Sequence, residues 1–408
     1  GAYPAIVLSG MRALQVMKSN FVPGTASIMV RRSLVVLQFS ISVFLIIYTL
    51  IMLQQMRYMQ NKDLGYKREQ VISLPVDGRM REQYDLLKAS LAQVPGVASV
   101  SGAYETPEYV LWGDGLTAID EKGQHHVSVN AMPVDIGFTE TMQMKLLAGR
   151  DFSRSDLFSD EQKRETGGSS NAYILNESLV RKLGWTPEEA IGKRVSKGIE
   201  GAVVGVVSDF HFRSLHNEVG PLVMFLDPDL VRQWVVRVDA GSISASIAGI
   251  EHWWKQRVSH RPFSFTFLDE NYQRLYKAEE RTSVLFISVS VLAILLACLG
   301  LFGLASFAVV QRTREIGIRR VLGAGSLNIV WVVAKGFLVL VGVGVCIAIP
   351  AAWILGRQWL NDHAYRVEPS VWNLVFAGVF ALLVALVTIA VRSLNAAFNN
   401  PVNSLRTA

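Results

Sequence analysis

Seven histidines, two cysteines and the run Asp209-Phe210-His211 are the residues of this 408-residue chain best suited to catalysis or metal binding. A zinc site needs ligands one helical turn apart or paired thiolates in a short loop. His211 and His216 stand five apart with no cysteine near, a poor fit to one helical face. Asp209 and His211 could supply part of a triad, but no serine occupies a G-x-S-x-G elbow, and the run reads better as the close of a strand. Gly192-Lys193-Arg194 lacks the Ser or Thr of a phosphate loop, and Pro187 stands where its first glycine belongs. Asn176-Glu177-Ser178 matches a glycosylation sequon, which carries little meaning outside a secretory eukaryotic context. The expectation is therefore no catalytic, cofactor or metal site, which leaves a membrane-anchored enzyme the weakest reading.

One short segment is patterned instead for contact. Gln311–Gly325 reads QRTREIGIRRVLGAG, too polar to cross a bilayer. On a helix Ile316, Arg319, Arg320 and Gly323 share a side, with Val321 and Leu322 partly beside it, and Gly323-Ala324-Gly325 ends the turn. Such a short basic helix can press into a groove on a partner. Equally, its arginines can lie on anionic headgroups.

The elements that must hold this segment are apolar. Ser33–Met56, Thr282–Val310, Gly336–Gly356 and Pro369–Val391 carry no charge, and each reaches the roughly 20 residues a transmembrane helix needs. A backbone in lipid must bond to itself, so all four should be helices. The fold class expected is membrane α-helical, four spans in a 1 + 3 layout, with a large α+β domain inserted between the first and second. The boundaries expected are a linker over 1–32, the first span over 33–56, the inserted domain over 57–281, and a closing membrane domain over 282–408. Within the last, spans cover about 282–310, 336–356 and 369–391, with the contact loop at 311–327.

Charge orients these pieces. The segment before the first span, the 311–327 loop and the tail hold ten of the 40 basic residues and only Glu315 of the 34 acids. Both termini and this loop should thus face the cytoplasm, and the inserted domain and the loop 357–368 the outside. The remainder is slightly acidic, so the net charge of +6 marks membrane orientation, not nucleic-acid binding. Cys298 and Cys346 fall inside spans and read as small hydrophobes.

Gly344, Ala348 and Ala352 recur every fourth residue in the third span, as do Ala377, Ala381 and Ala385 in the fourth. Small residues so spaced let helices approach closely, although Gly and Ala are also simply common in membrane helices. Pro350 should bend the third span or free a carbonyl. No charge lies mid-span, which argues against an ionic transport path between the helices. Gln54–Asn61 should prolong the first helix, and Glu270–Arg281 should run unbroken into the second, forming two stalks. The inserted domain alternates strands (71–76, 97–101, 126–134, 202–210, 222–226, 233–239, 263–268) with helices (83–94, 176–183, 244–258). It suggests two lobes with a less regular middle over roughly 104–225. Trp253-Trp254 suggests one buried ring and one half-exposed.

Arg314-Glu315-Ile316-Gly317-Ile318-Arg319-Arg320-x-x-Gly323-Ala324 resembles the loop signature of FtsX-like permeases of ABC transporters, and the 1 + 3 layout that of their MacB-type members. The likeness extends through Leu64-Gly65-Tyr66, Ala148-Gly149-Arg150-x-Phe152, Ile191-Gly192-Lys193, Gly205-Val206-Val207-x-Asp209-Phe210-His211-Phe212 and Asn271-Tyr272. Tyr3-Pro4-Ala5 and Asn400-Pro401-Val402 are similar to the repeat ends of duplicated permeases, so a longer parent chain is expected. The resemblance implies a MacB-like periplasmic core domain in a bacterial inner membrane. It makes Arg314, Glu315, Ile316, Gly317, Arg319, Arg320, Leu322, Gly323 and Ala324 a coupling loop on a separate cytoplasmic ABC ATPase. ATP would act only through that partner. A second permease half, the lipid bilayer and a periplasmic adaptor complete the implied partners. The implied function is mechanotransmission, ATP-driven movement of the outer domain for export or extrusion. The alternative is a non-transporting signalling permease that regulates a periplasmic hydrolase or sensor kinase. MacB-type proteins carry their ATPase in the same chain, a departure here that leaves their substrates untransferred.

Overall fold

A computed structural model describes residues 25–398 apart from 121–122, 313–314, 316–317, 320–321 and 324. In chain order the elements are α1 (Thr25–Asn61), β1 (Val71–Pro75), α2 (Tyr84–Leu91), β2 (Val97–Ala103), β3 (Gly113–Asp120), β4 (Gly123–Val134), β5 (Leu146–Gly149), β6 (Ala172–Asn176), α3 (Glu177–Lys182), β7 (Arg194–Lys197), β8 (Ile199–Val207), β9 (Leu222–Leu226), β10 (Gln233–Val238), α4 (Ile243–Arg257), β11 (Thr266–Phe267), α5 (Leu268–Leu275), α6 (Lys277–Gln311), α7 (Ser326–Asn361) and α8 (Val371–Phe398). The described residues form two compact units. One contains the chain up to Gln55, Arg281–Leu360 and Val367 onward; the other contains Met56–Glu280 and Asn361–Arg366.

In the first unit, α1, α6, α7 and α8 are each long and apolar enough to cross a membrane. Val35, Phe39, Val43, Ile47 and Ile51 repeat every fourth residue along α1 and are buried against the other helices. Leu34, Leu37 and Ile41, on other faces of α1, stay exposed. Outward apolar residues are what a helix in lipid requires, because lipid supplies no drive to hide them. α7 begins ten residues before the expected span, at Ser326, so Lys335 and Gly336 lie inside it. The amides of Asn328 and Ile329 donate to the carbonyl of Gly325 and open the helix there. Hydropathy marks where a helix meets lipid, not where its backbone begins. Pro350 is accommodated inside α7.

The second unit is built on strand alternation. β11, β1, β10 and β2 form an antiparallel sheet. Ile72, Leu74, Trp234 and Val236 turn to the face that α2 and α4 cover, meeting Leu87, Leu91, Ile250, Trp253 and Trp254. Both adjacent tryptophans are buried, which corrects the expectation of one half-exposed ring. Each indole N–H is satisfied, Trp253 by Ser90 Oγ at 3.0 Å and Trp254 by the Arg261 carbonyl at 3.0 Å. On the opposite face Val71 and Val235 join a second cluster. Arg237 is buried there, donating to the carbonyls of Thr141, Glu69 and Lys67 at 2.7, 3.1 and 2.7 Å.

The middle lobe is more regular than its sequence suggests. β4, β3, β7, β8, β6 and β9 pair in succession, and β9 returns to β4, so the six strands close on themselves. β6 is buried throughout, with Tyr173 and Leu175 entering one cluster and Ala172 and Ile174 another. A strand buried on both faces loses its polar alternation, which hides it among apolar residues in the sequence.

The second expected stalk is interrupted. α5 ends at Leu275, Tyr276 leaves helical geometry at φ −109°, ψ 9°, and α6 starts at Lys277. Tyr276 is drawn aside by its own burial. Its hydroxyl accepts from the Leu215 amide at 2.9 Å, while its carbonyl receives the Glu280 amide at 3.0 Å and opens the next helix. α1, by contrast, runs unbroken to Asn61.

Candidate functional site

Between α6 and α7, Glu315, Ile318 and Arg319 are helical. Glu315 and Arg319 form an i, i+4 ion pair at 2.8 Å. The Leu322 amide donates to the Ile318 carbonyl at 3.1 Å, and Gly323 closes the turn in the left-handed region at φ +86°. Leu322 is 80% exposed and Ile318 49% exposed. An apolar side chain left this open beside a polar pair suits insertion into another surface. Arg314, Ile316, Gly317, Arg320 and Ala324 lie outside the described residues, as do the Tyr3-Pro4-Ala5 and Asn400-Pro401-Val402 ends.

The small residues sit at helix contacts. Ala348, Ala352, Ala377, Ala381 and Ala385 are buried in the four-helix core. A Cβ on Gly344 would lie 3.1 Å from the Val36 carbonyl oxygen and 3.3 Å from Phe39 Cβ, so α1 and α7 nearly touch there. Ser40 Oγ, 3.1 Å from the Gly344 carbonyl oxygen, donates across the same contact. Further polar pairs escaped notice in the sequence. The hydroxyls of Thr49 and Ser290 bond at 3.1 Å inside the bundle, and buried Gln55 accepts the Val367 amide at 2.9 Å. Their signal was only a polar letter in an apolar run.

In the second unit the short motifs lock onto one another. Gly65 has φ +80°, and a Cβ there would meet the Asp209 carbonyl oxygen at 2.6 Å. The His211 amide donates to the Leu64 carbonyl at 2.8 Å, and Tyr66 packs edge-on against Phe210. Asp209 does not close a strand, because β8 ends at Val207. Its carboxylate instead receives the Ser178 amide and hydroxyl at 2.8 and 2.6 Å, and the Asn176 amide nitrogen at 2.8 Å. An anion so placed satisfies the free Ser178 N–H at the start of α3, while the Asn176 side-chain oxygen accepts the Leu179 amide and caps the helix. Asn176, the sequon residue, is fully buried by these bonds. Gly149, at φ +76°, lets its backbone pass Val204, where a Cβ would approach the carbonyl oxygen to 2.2 Å. Arg150 pairs with both oxygens of Asp156 at 2.6 Å, which holds that carboxyl below its usual range.

Sequence reasoning missed one buried polar cluster. Glu108 is 3% exposed, and neither carboxylate oxygen has a hydrogen-bond partner among the described residues. Thr106 and Asn271 come near without reaching hydrogen-bonding geometry, so burial dominates and pushes the carboxyl up to about 7. Tyr66 faces it, its hydroxyl also unpartnered and its phenol pushed upward by burial and then by Glu108. Arg68 lies over the Tyr272 ring at 4.1 Å and also faces Tyr66. In sequence Thr106-Pro107-Glu108 looks like a surface turn. His211, buried near Lys62, is lowered to about 4. Among the described residues no three His, Cys, Asp or Glu side chains could hold one metal ion.

Comparison with known proteins gives these motifs a family. Residues 33–248 match the MacB-like periplasmic core domain, and residues 287–401 match the FtsX-like permease C-terminal domain. The macrolide export ATP-binding/permease protein MacB of Chromobacterium violaceum is 25% identical over 296 residues, 69% of this chain and 44% of that protein. The chain thus spans under half the length of that curated relative. The periplasmic region of MacB from Actinobacillus actinomycetemcomitans covers 53% of this chain and 97% of its own, at 14% identity and a TM-score of 0.35. The extracellular domain of the noncanonic ABC-type transporter YknZ from Gram-positive bacteria covers 48% and 96%, at 15% identity and a TM-score of 0.30. With more than half its length matched by the periplasmic core domain and its last three spans by the permease domain, the chain belongs to the MacB-type family of FtsX-like ABC transporter permeases.

Proposed function

We propose that these residues form a permease that couples an ABC ATPase to movement of the inserted domain during export or extrusion. The observation that carries this reading is the turn between α6 and α7. It presents exposed Leu322 and Ile318 beside the Glu315–Arg319 pair, and Gly323 caps it. A closing ATPase dimer needs such a knob to grip. The basic edges of the spans favour a cytoplasmic face for this turn and an outward face for the inserted domain. The uncharged span centres fit a mechanism in which force, not a polar solute, passes between the helices. ATP binds the partner, and a second permease half completes the pair the ATPase dimer drives. A periplasmic adaptor is compatible with the outer domain.

The test uses the full chain with the ATPase that co-purifies with it. Deleting residues 315–323, or placing a charge by Leu322→Asp, is expected to abolish stimulation of ATP hydrolysis while the permease still reaches the membrane. Retained stimulation in both variants would overturn the proposal.

A further inference from the structure

At the end of the bundle beside this turn, α1, α6 and α7 enclose a cavity of about 270 Å³. Its walls are apolar, formed by Val35, Leu304, Phe307, Val333, Phe337 and Leu340. Three arginines stand at its rim, Arg31 and Arg32 from α1 and Arg312 just past α6. Among the described residues no carboxylate lines it. Arg31 is held over the Phe307 ring, 4.9 Å from its centroid, which fixes one charge at the rim.

Three guanidinium groups border one cavity with no carboxylate among its described lining, so an anion there gains attraction from all three. The planar fork of arginine matches phosphate oxygens. An apolar chamber bordered by three cations matches a molecule with a charged head and a hydrocarbon tail, and a free phosphate would leave that chamber unfilled. We propose that this cavity binds one anionic glycerophospholipid, with its phosphate diester on Arg31, Arg32 and Arg312 and an acyl chain along Leu304, Phe337 and Leu340. Arg312 opens the 311–327 loop, but the cavity uses none of residues 315–323, so deleting those residues tests the coupling reading with all three rim arginines in place.

Gly336 supplies a clean test. It lines the cavity, and a Cβ built on it meets no atom within 4 Å. A large side chain there fills the chamber without displacing the backbone or removing an arginine. The full chain, purified in detergent, is offered dioleoyl phosphatidylglycerol or dioleoyl phosphatidylcholine, and retained lipid is counted by native mass spectrometry. One phosphatidylglycerol per chain is expected, retained in clear preference to phosphatidylcholine. Retention should fall about fivefold for each of Arg31→Gln, Arg32→Gln and Arg312→Gln. Gly336→Phe, with every charge intact and helical content checked by circular dichroism, should fall by at least as much. Equal retention of phosphatidylcholine would overturn the proposal. So would unchanged binding to Gly336→Phe, which would mark surface charge alone, or displacement by millimolar inorganic phosphate, which would mark a free-anion site.

Discussion

Glu108→Gln should make the outer unit more stable in neutral and alkaline solution. In the folded chain the carboxyl titrates near 7, while its ordinary value is 4.5. Below pH 4.5 both folded and unfolded states carry the proton, and parent and variant should be nearly equal. Between 4.5 and 7 the folded state keeps a proton the unfolded state has released, so the parent loses about 1.4 kcal/mol of stability per pH unit. Above 7 the loss levels off at about 3 kcal/mol, the free energy of forcing an unpaired carboxylate into a site it cannot share with solvent. His211 imposes a slope of the opposite sign, because a histidine held neutral down to about 4 costs stability as pH falls below 6.5. That slope is common to both proteins and cancels in their difference. The assay is hydrogen exchange by mass spectrometry on the full chain in lipid nanodiscs, read at the buried strands β1, β4 and β9 and corrected for intrinsic exchange rates. At pH 8 the variant should exchange on the order of a hundredfold more slowly than the parent. Parallel pH profiles from 5 to 8, or a variant less protected at pH 8, would refute the assignment of Glu108 as a buried, unpaired acid.

Gly65→Ala places a Cβ against the Asp209 carbonyl oxygen in a left-handed backbone, and should cost the outer unit more than about 2 kcal/mol, seen as lost exchange protection around residues 64–66 and 209–212. Asp209→Ala removes the acceptor of the Ser178 amide at the start of α3 and leaves its capping residue, buried Asn176, short of an acceptor, so protection at Leu179 and Val180 should drop by about 1–3 kcal/mol while β1 is unaffected. Gly344→Leu drives a side chain into the α1–α7 contact, and thermal unfolding in detergent should fall by the equivalent of about 1–3 kcal/mol; an unchanged transition would show that the helices do not meet there.

The spans were legible because lipid demands long uncharged runs, and the strands over 71–75, 222–226 and 233–238 because they are short, apolar and bounded by other elements. β3 was not legible: Gly113-Asp114-Gly115 reads as a loop, and it becomes a strand only because β4 and β7 flank it. The break at Tyr276 was equally hidden, since Glu270–Arg281 holds no glycine or proline and the interruption is imposed by a tyrosine's burial from outside the helix. The exposed turn was visible as a pattern in Ile318–Gly323. The Glu108 cluster was not, because a carboxylate's environment is set by neighbours such as Tyr66 and Asn271, far away in the chain.

The pairing of β1 with β10 and β11 sets a schedule for biogenesis. Val71 meets Arg237, and Ser73 meets Thr266, so the first strand made has no neighbour until the last two have been delivered. Closing the strand ring likewise waits for Leu222–Leu226 to reach β4. Contacts this distant in sequence form slowly, and a ribosome pausing before residue 233 leaves apolar Val71–Leu74 bare. The second unit therefore cannot complete its sheets until late in synthesis, and stop codons placed along 205–270 should show protease resistance arriving abruptly at the end of that window.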